Sequence, residues 1–162
     1  MWDALGAAGV HPADQGEREL LWAAAILHDI GTAVDYDDHH KHSRYLILNA
    51  GLPGFAPREV ALIAQAARYH RKGSPDFAEL EPLAKDGDAA RLNRMAILLR
   101  LAEDLERSRD QSVHAAHVRA TDGSVRLELE ADGEAAVERW AAQREVDLFD
   151  RAFDRKLKVQ TA

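Results

Sequence analysis

The chain has 162 residues, 46% of them hydrophobic, enough to bury a core and to set aside disorder. Its 28 Asp and Glu outweigh 21 Lys and Arg to a net charge of −7, so it lacks the broad basic surface that bulk nucleic-acid binding needs. No cysteine is present, which removes disulfides and thiolate ligands and fits a reducing, cytoplasmic setting, and no apolar run or leader pattern marks a membrane span or signal peptide.

The first strong periodicity predicts a helix over Glu17 to Ile30, with Leu20, Ala23, Ala24 and Leu27 on one face. Gly31 is read as the residue that ends it. The polar run Asp35-Tyr36-Asp37-Asp38 precedes a second helix, His39 to Asn49, on which His39, His42, Leu46 and Asn49 share a stripe. After the turn Leu52-Pro53-Gly54-Phe55, Pro57 opens a third helix whose Val60, Ile63, Ala64 and Ala67 face a core, and His70 extends that face. A short helix is expected over Asp76 to Leu83, and a long one from Asp88 to Ser108 with Leu92, Met95, Ala96, Leu99 and Ala102 inward.

Beyond residue 110 the pattern changes. Val125, Leu127 and Leu129 alternate with charged residues, and Asp122-Gly123 joins two strands, Ser112 to Ala120 and Ser124 to Ala131. A helix from Glu134 to Phe153 follows, with Val137, Trp140, Ala141, Leu148 and Ala152 apolar, and Leu157 and Val159 suggest a last strand. The expected fold is mainly α: a helical domain over residues 1–110, then a small β-β-α-β unit over residues 111–162.

Chemistry concentrates in the helical part. His28-Asp29 offers a nitrogen and a carboxylate oxygen from successive residues, a mix that suits Mg, Mn, Fe or Zn. His28, Asp29, His42, His70 and Glu103 each fall at the inward edge or end of a predicted helix, the way bundles assemble metal centres. Asp104 competes with Glu103 as the inward carboxylate. An ion there would activate water toward phosphorus. Lys41, Arg68, Arg71 and Lys72 surround His42 and His70 as candidate phosphate contacts, with His39 either a further ligand or a phosphate contact. His40 is expected to pack or to face solvent. His114 and His117 lie on the hairpin and carry no assigned role.

Several motifs in order now carry a resemblance. Leu27-His28-Asp29-Ile30-Gly31, His39-His40-Lys41-His42-Ser43-Arg44-Tyr45-Leu46-Ile47, Leu52-Pro53-Gly54-Phe55, Ala67-Arg68-Tyr69-His70-Arg71-Lys72 and Leu99 through Ser108 resemble the C-terminal region of the exopolyphosphatase/guanosine pentaphosphate phosphatase family. Trp140-Ala141-Ala142 and Asp147-Leu148-Phe149 fit the same region. The resemblance implies an HD-type helical domain with a small α/β piece, placed in the full family behind an actin-like half that hydrolyses terminal phosphates and has no counterpart in these residues. It implies binding of polyphosphate or a phosphorylated nucleotide, regulation, and contacts within a homodimer. The alternatives are a freestanding HD-type metal-dependent phosphohydrolase and a dimerisation domain with a relic metal site. Two departures stand out. HD-type sites place a histidine before the doublet, where this chain has only His11, and their later aspartate aligns with Glu103.

Overall fold

The computed structural model describes residues 1–161. In chain order its elements are α1 (Trp2–Ala7), α2 (Gln15–Leu27), a 3₁₀ turn (Ile30–Ala33), α3 (His39–Ala50), α4 (Pro57–Arg68), a second 3₁₀ turn (Ala78–Leu83), α5 (Asp88–Leu105), β1 (Val113–Ala120), β2 (Ser124–Ala131), α6 (Ala136–Gln143), α7 (Val146–Phe153) and β3 (Lys156–Thr161). The molecule is mainly α with a small sheet, as the patterning predicts. It forms two compact units, one of residues 15–99 and one of residues 1–14 with 100–161, so the division runs through α5.

In the helical unit α4 is central. Val60 to Ala67 are all buried, because small alanines let neighbouring helices close around it on every side. Pro57 opens it, and the Glu59 carboxylate accepts the Ala56 N–H at 2.7 Å. Leu20, Ala23 and Ala24 of α2, Ile47 of α3, and Leu92, Met95 and Leu99 of α5 complete the core. Two buried carboxylates fix the register of α5. Asp88 takes a two-pronged contact from Arg58 and the Lys85 N–H at 2.9 Å, while Glu17 takes Arg94 through two bonds of 2.6 Å. Burial pushes the Asp88 carboxyl up, but Arg58, the Lys85 N–H and Arg91 outweigh it and hold the group below its ordinary value.

Three expectations for the helices need correction. The first helix ends at Leu27, before the doublet, and Gly31 does not cap it. Gly31 lies in the 3₁₀ turn against α3, where an added Cβ would fall 2.1 Å from the His39 carbonyl oxygen and 2.4 Å from the Ser43 nitrogen. Glycine is needed there for close backbone approach. The inward stripe of α3 is His39, His40, Ser43 and Ile47, because Gly31 seats itself on Ser43; His42 is half-buried. On α5, Ala102 and Glu103 are exposed, and the half-buried acid is Asp104.

The other unit is a three-stranded sheet in the order β1-β2-β3. β1 pairs antiparallel with β2, Val118 opposite Leu127, and β2 pairs parallel with β3, Leu127 opposite Val159. A parallel neighbour requires a crossover, which α6 and α7 provide. Val125, Leu127, Leu129 and Leu157 are buried with Leu148, Phe149 and Phe153 of α7. The single helix expected over 134–153 is two. Its break at Arg144 and Glu145 lets Glu145 reach Arg100 at 3.1 Å and lets the Gln143 side-chain oxygen accept the Val159 N–H at 3.2 Å. Val137 and Trp140, read as apolar packing residues, are exposed, and Trp140 lies under the Arg144 guanidinium at 4.9 Å. The sequence pattern showed no helix in the first residues, yet α1 forms and packs on β1.

Candidate metal centre and its basic rim

The helical unit brings His28, Asp29, His39 and His70 together. His28 and Asp29 lie between the end of α2 and the 3₁₀ turn. Ser43 holds that stretch: its hydroxyl donates to the His28 carbonyl at 2.5 Å and accepts the Gly31 N–H at 2.9 Å. His39 opens α3, and His70 follows the end of α4. Asp29 Oδ1 lies 3.0 Å from His39 Nε2 and 3.5 Å from His70 Nε2, while Asp29 Oδ2 lies 3.7 Å from His28 Nε2. His28, Asp29 and His70 form a compact ligand group, the only such cluster of three or more among the described residues.

The other ring nitrogen of each histidine determines what the cluster can do. His28 Nδ1 is 2.7 Å from the Ala25 carbonyl, His39 Nδ1 2.9 Å from the Tyr36 carbonyl, and His70 Nδ1 2.7 Å from the Ala67 carbonyl. A carbonyl only accepts, so each Nδ1 carries a proton, and in its neutral form each ring presents an Nε2 lone pair to the cluster. Arg71 Nη1, 3.4 Å from His39 Nδ1, is therefore a neighbour of that nitrogen and not its donor. The 3.2 Å approach of His39 Nε2 to His70 Nε2 sets two lone pairs against each other. Asp29 Oδ1 is buried and has no hydrogen bond of acceptable geometry, although His39 Nε2 is only 3.0 Å away. Electron pairs facing a buried carboxylate oxygen repel one another until a cation sits among them. The donor set fits a divalent metal.

The sequence-predicted residues divide as follows. His28, Asp29 and His70 meet; His42 lies against Gly31 outside the group, and Glu103 is an exposed residue of the other unit. Asp104, in that same unit, has its carboxyl raised by burial and by Glu145, with Arg107 pulling the other way. His39, expected as a ligand or a phosphate contact, faces Asp29 directly. His40 is 1% exposed rather than solvent-facing, and neither of its ring nitrogens has a hydrogen bond. Burial, with Arg68 and Lys72 nearby, pushes its imidazole down to about 4. The sequence signal for this site was the Asp-Asp-His-His run at a helix start; the stripe analysis placed the inward face one residue off.

The predicted basic residues form a rim on the same unit. Lys41, Arg44, Arg68 and Tyr69 line a cleft of about 320 Å³ with Gln65 and Glu79. Arg44 is held by Gln65 at 2.6 Å and pairs with Glu79. Arg71 and Lys72 are exposed, with Arg71 beside His39 and Lys72 Nζ 3.8 Å from Asp38.

The helical unit thus carries a His and Asp cluster with basic residues beside it. A family model for "Ppx/GppA phosphatase, domain III" matches residues 1–148, and the chain belongs to that family. The chain is similar to the guanosine-5′-triphosphate,3′-diphosphate pyrophosphatase of Aeromonas hydrophila subsp. hydrophila, 35% identical over 121 residues that make up 73% of this chain and 21% of that protein. It is 44% identical over 52 residues to the enzyme of the same name from Pseudoalteromonas translucida, covering 32% of this chain and 10% of the relative. The chain thus spans about a fifth, or less, of these curated relatives. No helix among the described residues is long and apolar enough to cross a membrane.

Proposed function

We propose that this chain is the phosphate-chain-binding and regulatory part of an exopolyphosphatase-type enzyme, with a divalent metal held by His28, Asp29, His39 and His70. The observation that carries this reading is Asp29 Oδ1, buried without a hydrogen bond and faced by imidazole nitrogens whose partner nitrogens are already committed. Three imidazole nitrogens favour Zn, Fe or Mn over Mg, which prefers oxygen ligands. When bound, the ion supplies a positive charge and Lewis acidity toward a phosphate oxygen. The chain's own residues do the rest. Ser43 holds the His28–Gly31 turn, the three carbonyls fix the ring orientations, and Arg71, Lys72, Lys41 and Arg68 neutralise phosphate oxygens along the rim. The ligand is inorganic polyphosphate or a polyphosphorylated guanosine nucleotide, in keeping with the substrate for which the relatives are named.

A second reading, hydrolysis by this unit itself, draws on the Asp29 side chain being 42% exposed although its Oδ1 is buried, which leaves a solvent-facing side where substrate and water would reach the ion. The expected homodimer would rest on exposed apolar side chains such as Trp22, Ile26, Ile30 and Val34 of the helical unit.

Metal analysis after reconstitution with Mn or Zn tests the main reading. The wild type should retain a single equivalent, and Arg71→Ala/Lys72→Ala should keep the metal but lose salt-sensitive tripolyphosphate binding. A wild type that takes up no metal, or a double variant that binds the anion undiminished, overturns the corresponding half.

A further inference from the structure

The basic rim already holds one anion of its own. Asp38 immediately precedes α3 with φ 55°, a left-handed conformation that Asp and Asn tolerate better than most residues. A residue here usually turns its side chain onto the free N–H groups of the first turn, but Asp38 makes no such cap. Its carboxylate instead meets Lys41 Nζ at 2.5 Å on one oxygen. The other oxygen, Oδ1, lies 3.8 Å from Lys72 Nζ and 3.9 Å from His40 Nε2.

Nitrogens from two segments, the start of α3 and the loop after α4, therefore converge on one carboxylate. Two of them stop short of hydrogen-bond distance. The His40 nitrogen is the telling one. It belongs to a ring 1% exposed, is aimed at Asp38, and has no partner elsewhere. A buried polar nitrogen left unpaired costs stability unless some ligand completes it. A carboxylate is too small to reach all three groups. A phosphate, with three or more oxygens spread around a tetrahedron, can contact Lys41, Lys72 and His40 at once. The N terminus of α3, a helix of 12 residues, adds a favourable field at the same place.

We propose that His40, Lys41 and Lys72 form a phosphate subsite in which Asp38 is the resident anion, displaced when a condensed phosphate binds. This rests on the reading that the rim binds phosphate chains and adds a device to it. Asp38 neutralises the subsite when no ligand is present and lowers its affinity, so that short or singly charged anions do not fill it. The subsite adjoins the metal cluster, since the His40 ring centroid is 6.0 Å from that of His39 and 6.4 Å from that of His70.

Calorimetric titration of the metal-free 162-residue chain with inorganic tripolyphosphate at low ionic strength tests the device. Asp38→Asn removes the charge and keeps a residue suited to the same backbone, and Asp38→Gly provides a second variant at no conformational cost. Either should bind tripolyphosphate about tenfold tighter than wild type, as expected for deleting a like charge within about 4 Å of the bound anion. Asp37→Asn makes the same change in net charge one residue away and should shift affinity by less than about twofold. Wild-type binding that is unchanged or weakened in both Asp38 variants overturns the resident-anion proposal and leaves the rim as a phosphate site. An equal gain in Asp37→Asn also overturns it, by showing a general charge effect. No binding by wild type or variants overturns both the subsite and the phosphate-chain reading.

Discussion

His11 in the sheet-bearing unit and His70 in the helical unit are buried to a similar degree, 8% and 1% exposed, yet their rings are built for opposite ends. His11 packs on Trp2 with ring centroids 3.9 Å apart, its Nδ1 accepts the Ala13 N–H at 3.0 Å, and its Nε2 donates to the Trp2 carbonyl at 3.0 Å. Both nitrogens are committed to backbone, so the residue is structural. His70 places Nδ1 2.7 Å from the Ala67 carbonyl and turns Nε2 toward side chains instead of backbone, 3.2 Å from His39 Nε2 and 3.5 Å from Asp29 Oδ1. Burial therefore says little about whether a histidine is a ligand; the bonding of its second nitrogen decides.

The largest test of this contrast is Gly31→Ala. The new Cβ must push the 3₁₀ turn off α3, separating His28 and Asp29 from His39. Urea unfolding should show a loss of about 3 kcal/mol, the upper part of the range for overpacking, and metal uptake should fall with it. A variant with wild-type stability would show that the backbones are not in the close contact described. His11→Leu comes next. It strands the Ala13 N–H and the Trp2 carbonyl and should cost about 2 kcal/mol, while the folded protein keeps its full metal uptake. Loss of metal in that variant would erase the distinction between the two kinds of histidine.

Asp29→Asn has the smallest expected effect on stability and the most diagnostic sign. An amide at this position donates to the lone pairs of His39 and His70 and relieves their repulsion. The metal-free protein should gain about 1 kcal/mol against urea in the presence of chelator, while metal uptake disappears. Destabilisation there would mean that the carboxylate is held by donors and not poised for a cation.

Much of the architecture was legible because it rests on local periodicity. The third and fifth helices, α4 and α5, emerge within a few residues from their apolar faces, and the hairpin emerges from alternation around Asp122-Gly123. The break between α6 and α7 was not legible. Both sides read as one amphipathic stretch, and the interruption depends on Arg100 and on β3, which lie far away in the chain. The same limit applied to α3, whose inward face shifted by one position because a glycine distant from it seats on Ser43. Glu103 was misplaced for a related reason: α5 is buried all round from Met95 to Leu101, so periodicity alone does not say which side a late residue takes.

The sequence by itself determined the family, the mainly helical character, the presence of a His-Asp doublet and the basic residues near His42 and His70. These depend on residue types in order, and order survives without coordinates. Only the tertiary structure decided that His39 joins His28, Asp29 and His70 while His42 and Glu103 do not, that His40 is buried with both nitrogens unpaired, and that Asp38 draws Lys41 and Lys72 to itself. Those outcomes depend on separations of a few ångströms between segments remote in the chain, and on which ring nitrogen a backbone carbonyl has already claimed.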